Sequence, residues 1–213
     1  MKLYGFPLSP FVRKVMVVAQ EKGIDAEIVP ANPAHPTEEF LAVSPYGKIP
    51  AMDDDGFCLA DSSAIAHYLD AKHPETALLP ADPKARARAI WFDEVADTVL
   101  MPAGAPMLFN RLVGPKFLGV PGDEAAAKAA EEAVAGRLGY IEQTLGEDGW
   151  LDEDFSLGDI AVSSMVKSLS YASWTIDAGA FPKTAAWYDR VCARPAWQAA
   201  AAVESGIMAG AGL

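Results

Sequence analysis

The chain has 213 residues, 51% of them hydrophobic, enough to bury a substantial core as one large domain or two small ones. Its 17 basic and 29 acidic residues give a formal charge of −12, and no basic run offsets it, which argues against a nucleic-acid partner. The apolar run 15–19 is too short to span a bilayer and Met1-Lys2 opens onto a strand-like segment instead of a leader, so a soluble, cytoplasmic protein with no membrane partner is expected.

Residues 2–6 (KLYGF) are short, apolar and aromatic, and read as a strand. Pro7-Leu8-Ser9-Pro10 is a turn, and the following segment reads as a helix with Ser9 as N-cap, Pro10 at its first position and Gly23 as its stop. Ile24 to Pro30 offers a second strand, which completes a β-α-β unit. A proline-rich loop carrying His35 leads to the short helical piece PTEEFLAVSP. The segments 47–52 and 57–60 are two strands around Asp53-Asp54-Asp55-Gly56, a hairpin signal. A helix then starts at Asp61-Ser62-Ser63 and ends near His73-Pro74, giving the order βαβαββα for a domain over 1–78.

The linker is expected at 79–86, where Pro80 and Pro83 interrupt the pattern, and an all-helical bundle domain over 87–213. Its helices are expected near 84–112, 123–145, 156–171, 182–193 and 195–203, with Trp91, Val95 and Val99 as a packing stripe. Cys58 and Cys192 have no partner at metal-ligand spacing. His67 lies in an apolar helical stretch and His73 precedes a proline, so neither a metal site nor a disulfide scaffold is expected.

Four segments, in order and spread over the whole chain, resemble the cytosolic glutathione transferase superfamily, in its serine-type form of the phi or theta kind or a bacterial relative of it. Gly5 to Lys14 (GFPLSPFVRK) is similar to the family's first turn and helix, with a serine after the first strand and an arginine four residues later. Ser44 to Ala51 (SPYGKIPA) resembles the stretch whose proline is cis. Asp61-Ser62-Ser63-Ala64-Ile65 with Tyr68-Leu69 resembles the start of the family's third helix, and Phe155 to Ala161 its buried capping box and hydrophobic staple.

The resemblance implies an α/β thioredoxin-like N-terminal domain, an all-α C-terminal domain, and glutathione as co-substrate with no metal. In that picture Ser9 gives its hydroxyl hydrogen to the glutathione sulfur at a helix N-terminus, where free N–H groups also favour a thiolate. Local sequence alone also accounts for Ser9 as an ordinary N-cap, and Tyr4 in the first strand is the competing hydroxyl. Ile49, before a cis Pro50, would pair its backbone with the cysteinyl residue. Ser62 and Asp61 would hold the γ-glutamyl carboxylate and ammonium, while remaining compatible with simple helix capping. His35 and Lys48 would reach the glycine carboxylate, or else stand as solvated loop residues; Arg13 would add positive potential or simply be solvated.

Met101, Pro102, Met107, Leu108 and Phe109 lie where this fold lines its electrophile pocket, with core packing the other reading of each. Asp97 could reach across a homodimer, the assembly that the resemblance implies. A small electrophilic molecule is the second substrate it implies. Glutathione-dependent isomerase or dehalogenase chemistry, and a non-catalytic carrier of hydrophobic ligands, are the alternatives that these residues leave open.

Overall fold

A computed structural model of the chain describes residues 1–146 and 148–211. The first seven elements are β1 (Lys2–Gly5), α1 (Pro10–Glu21), β2 (Glu27–Pro30), α2 (Glu38–Val43), β3 (Ala51–Asp54), β4 (Phe57–Ala60) and α3 (Ser62–Lys72). This is the expected βαβαββα order. The strands form one sheet in the order β2-β1-β3-β4, with β1 parallel to β2 and antiparallel to β3. The β3–β4 hairpin turns on Asp55 and Gly56, both at positive φ as a tight primed turn requires, and Asp53 accepts the Gly56 N–H at 2.8 Å.

The sheet's apolar faces meet α1 and α3 through Leu3, Val12, Val15, Met52, Ile65 and Leu69, all essentially inaccessible. Gly5 sets how closely β1 and α1 approach. A Cβ there would stand 2.5 Å from Val12 Cγ2, so only glycine fits without a shift of the helix.

The remaining helices are α4 (Pro83–Val95), α5 (Met101–Leu108), α6 (Glu124–Thr144), α7 (Leu157–Ser170), α8 (Pro182–Cys192) and α9 (Pro195–Ala211). The expected helix over 84–112 is longer and less regular. Wide, π-type turns over Ala96–Leu100 and Phe109–Leu118 join and extend α4 and α5, and Met101 N–H bonds to Ala96 C=O, five residues back. Pro102, Pro106 and Pro115 fall in or beside these turns; each lacks the N–H that an ordinary turn would use.

The expected stripe Trp91, Val95, Val99 is not the packed face of this helix. Trp91 and Val99 are exposed, while Phe92, Ala96 and Leu100, one residue along, are buried. The reason is a close approach at α7, where a Cβ on Gly158 would meet Phe92 Cβ at 2.7 Å and the Ala89 carbonyl at 3.1 Å. That contact selects the Phe92 side of α4, and Trp91 packs edge-on against Tyr140 of α6 instead.

Contacts divide the chain into two compact units, Met1–Leu79 together with Cys192–Leu213, and Pro80–Val191. A helical domain running unbroken over 87–213 differs from this grouping, because α9 packs along α1. Two ion pairs fasten it: Arg13 to Glu204, both buried, and Arg194 to Glu21, with N to O distances of 2.6 and 2.8 Å. Nothing in the local pattern of α9 announces this pairing.

Within the helical unit Asp159 is the central polar residue. It is wholly buried and accepts four hydrogen bonds: from Leu151 N–H at 3.0 Å, Trp187 Nε1 at 2.7 Å, Ser156 N–H at 2.9 Å and Ser156 Oγ at 3.2 Å. Burial pushes its carboxyl above the usual range, and the four donors offset part of that. The start of α7 is therefore locked to the loop before it and to α8. Phe155 meets the Trp150 ring edge-on. Asp159→Ala leaves these donors without their acceptor and is expected to cost about 2–4 kcal/mol, read by urea denaturation.

Candidate functional site

The strand register brings the sequence motifs to one place. Tyr4 pairs with Ala51, and Ala51 pairs with Ala60, so the C-terminal end of β1, the beginning of β3 and the C-terminal end of β4 share one edge of the sheet. Gly5 pairs with Pro30, so β2 ends there too. Ser9 follows β1, Lys48-Ile49-Pro50 precedes β3, Asp61-Ser62 follows β4, and His35 lies in the loop after β2. Residues up to 53 positions apart in sequence thus leave the same sheet edge.

Ser9 is half-buried at the N-cap of α1, with extended dihedrals of φ −67° and ψ 130°, and its side chain makes no capping hydrogen bond. Its backbone is nevertheless fixed: its N–H donates to Phe6 C=O at 2.9 Å and its C=O accepts from Arg13 N–H at 2.9 Å. The N-cap explanation of this serine fails at the hydroxyl. Pro10 at the first helical position is not the cause, because a cap uses the N–H groups of the second and third positions. The result is a positioned hydroxyl that the helix does not use, at a helix N-terminus.

Tyr4, the competing hydroxyl, is 3% exposed and donates to Glu39 Oε1 at 3.2 Å, with its ring stacked on Phe40. Burial, and then the Glu39 carboxylate, push its pKa up. Neither feature suits a group that must release or share its proton with an outside sulfur.

The Ile49-Pro50 peptide bond is cis, and Ile49 packs half-buried against the cluster of Tyr4, Phe40, Val43 and Ala51. Ser44, fully buried, holds the preceding loop: its Oγ donates to Lys48 C=O at 2.7 Å and accepts Lys48 N–H at 3.0 Å. Ser44 is a residue that the sequence reading quoted in a motif but gave no part, and its clamp on both peptide groups of Lys48 sets where Ile49 points. The Lys48 and His35 side chains are exposed.

Asp61 is the N-cap of α3 and its Oδ1 accepts from Ser63 N–H and Ala64 N–H, each at 3.0 Å. Its φ of 89° is uncommon for a residue with a side chain, and such backbone is held only where the surroundings over-determine it. Here the Asp61 N–H reaches Pro50 C=O at 3.3 Å, which ties the cis-proline loop to the helix start. Ser62 follows, 3% exposed, at the first position of the helix.

Of the residues named for the electrophile pocket, Met107 is fully buried and Leu108 nearly so; both belong to the packing of the helical unit. Pro102 and Phe109 are exposed, and Met101 is half-buried. Asp97 lies in the π-type turn after α4. Arg13 is not the solvated residue that its helix position suggests; it is 1% exposed and paired with Glu204.

Comparisons with known proteins give the family. Residues 3–77 match the family model for the glutathione S-transferase N-terminal domain, and residues 95–195 that for the C-terminal domain. The chain belongs to the glutathione S-transferase family. It is 37% identical over 206 residues to glutathione S-transferase 3 of Zea mays, covering 93% of this chain and 91% of that one. The structure of a glutathione S-transferase from Rhodospirillum rubrum F11 superposes with a TM-score of 0.87 at 28% identity, over 93% and 90% of the two chains. That of glutathione S-transferase I, bound with lactoylglutathione, gives 0.85 at 29% identity, over 94% and 98%. No helix among the described residues is long and apolar enough to cross a membrane.

Gly5 carries a testable consequence for the site, since it sets the seat of α1 behind Ser9. Gly5→Ala is expected to cost about 1–3 kcal/mol by overpacking against Val12. Gly5→Ala combined with Val12→Ala should recover part of that loss in thermal melts, and a purely additive double variant would show that the contact is not the cause.

Proposed function

We propose that this transferase binds glutathione along the sheet edge and uses the Ser9 hydroxyl to hold its sulfur as thiolate, which then attacks a small electrophilic carbon of an apolar co-substrate. The observation that carries the reading is Ser9, whose backbone is held at a helix N-terminus while its side chain makes no capping bond. The proton leaves the thiol to solvent, the hydroxyl donates to the sulfur anion, and the new carbon–sulfur bond forms as the electrophile's leaving group or π electrons depart. Serine at this position cannot form the mixed disulfide that a cysteine would, so the chemistry is transfer and not thiol–disulfide exchange.

The other contacts follow from the same edge. Ile49 offers its backbone to the cysteinyl residue as an added strand, Ser62 N–H and hydroxyl take the γ-glutamyl carboxylate, and Asp61 faces the ammonium with the oxygen that capping leaves over. Pro50 fixes the loop, and Lys48 and His35, both with exposed side chains, extend to the glycine carboxylate. No metal takes part in this reading.

An unperturbed thiol has a pKa near 8.5, so only a few per cent is ionised at neutral pH. A hydrogen bond to the thiolate contributes about 1.5–3 kcal/mol, or roughly one to two pKa units. Ser9→Ala should therefore raise the pKa of the bound thiol and cut neutral turnover about 10- to 100-fold, with little change in glutathione affinity. Tyr4→Phe should leave that pKa in place. The ultraviolet absorbance of the bound thiolate, titrated against pH, decides between them; coincident curves for wild type and Ser9→Ala would remove Ser9 from the mechanism.

The assembly proposed is a symmetric homodimer in a cytoplasmic setting. Its support is the set of large apolar side chains left on the surface: Tyr46 at 89% exposure and Phe57 in one unit, Trp91, Val99 and Tyr140 in the other. With a net charge of −12, two copies repel at long range, so a stable pair needs such patches at contact. Light scattering at micromolar concentration should give twice 22.6 kDa, and Tyr46→Ala should shift the mass toward the monomer. A wild type that stays at 22.6 kDa at all concentrations ends this part of the proposal.

A further inference from the structure

The helical unit holds a cavity of about 300 Å³ between α7, α8 and the loop that joins them. Its walls are aromatic at Trp174 and Tyr188 and aliphatic at Val166, Ile176 and Ala185. The loop wall is built in advance. Asp177 Oδ1 accepts from Gly179 N–H at 2.8 Å, Asp177 C=O accepts from Phe181 N–H at 2.8 Å, and Trp174 N–H returns to Leu169 C=O at 3.3 Å. Trp174 is 9% exposed, so its ring is part of the wall and not a free surface group. Small side chains at Ala178 and Ala185 leave the space open. None of the lining residues belongs to the unit that carries the sheet edge, and none is among those assigned above to glutathione or its co-substrate.

The polar groups of this cavity share one sign. Asp189 stands in the last turn of α8, where the helix dipole opposes a carboxylate, and it makes no hydrogen bond or ion pair with any described residue. Ser170 is the last residue of α7, so the negative end of a second helix borders the same space. The Ser170 hydroxyl donates to Lys167 C=O at 2.7 Å, so toward a ligand it can only accept. No lysine, arginine or histidine is among the lining residues. We propose that the cavity binds a small aromatic amine as its cation, with the ring against Trp174 and Tyr188 and the ammonium at Asp189. A ligand that carries a carboxylate meets Asp189 and two helix ends of its own sign, so neither glutathione nor its conjugates suit this place. The chain's formal charge of −12 favours the approach of a cation and opposes that of an anion. This site stands apart from the transfer chemistry and holds whether or not Ser9 activates a thiol.

The test uses three ligands of similar size: 2-phenylethylamine, the neutral 2-phenylethanol and the anionic 3-phenylpropionate. Calorimetric titration of the full chain at neutral pH should show the amine binding about three- to tenfold more tightly than the alcohol, and the acid binding least. Asp189→Asn should bring the amine down to the alcohol's affinity, while the alcohol changes by less than about twofold. Ala185→Leu fills the space and should abolish binding of both. In each variant kcat and KM for glutathione should hold, and saturating S-hexylglutathione should not displace the amine. Should Ala185→Leu fail to fold, Ala178→Leu on the exposed loop blocks the same space. The proposal is overturned by an amine that does not bind the wild type, that binds no better than the alcohol or the acid, or that is undisturbed by Asp189→Asn or by the filling variant. Displacement by S-hexylglutathione would overturn it as well, by placing the amine in the transferase site.

Discussion

The register of three strands is the constraint on which the rest of this structure depends. Antiparallel pairing of Tyr4 with Ala51, and of Ala51 with Ala60, brings the loop after β1, the loop before β3 and the loop after β4 to the same sheet edge. A slip of one residue in β3 would turn Ala51 and Met52, both inaccessible, to the opposite faces, so burial enforces the register strongly. The tight Asp55-Gly56 turn fixes β3 against β4, and the Gly5 to Val12 approach fixes α1 against β1. Site geometry is in this sense a by-product of core packing.

What the loops then present is backbone more than side chain. Ser44 clamps both peptide groups of Lys48, the Asp61 N–H ties the α3 start to Pro50, and Asp61 spends one carboxylate oxygen on two helix N–H groups. Such bonds cost a substrate nothing in ordering on arrival, because the folded chain has already paid for them. Ser9 differs from these: its backbone is held at both ends and its hydroxyl makes no capping bond.

The order of elements, the hairpin, the helix starts at Ser9 and Asp61 and the capping role of Asp159 were legible in the sequence, because each is written in adjacent residues. Pro-Gly-Asp-Ser punctuation and period-2 or period-4 patterns are local signals. The buried side of α4 was not legible, since the choice between Trp91 and Phe92 is made by Gly158, 67 positions away from the tryptophan. The grouping of α9 with the first unit was hidden for the same reason. It depends on Arg13 finding Glu204 and Arg194 finding Glu21, pairs 191 and 173 positions apart. Arg13 looked solvated because a helix of twelve residues ordinarily shows one face to water, whereas α1 is covered on one side by the sheet and on another by α9.

This covering of α1 bears on how an acidic chain holds an acidic tripeptide. A helix buried on so many sides stands in low-dielectric surroundings, where charges act further than they do at a surface. The buried Arg13 to Glu204 pair helps to seat α1 against α9, and breaking a buried pair of this kind is strongly destabilising. The helix dipole of α1 points at the Ser9 hydroxyl, and that of α3 at Ser62; both are fixed by packing and neither depends on a mobile surface lysine. A positive potential built from buried helix ends survives physiological salt better than one built from exposed side chains. A strongly acidic surface, as solubility favours, is compatible with positive helix ends at the sheet edge.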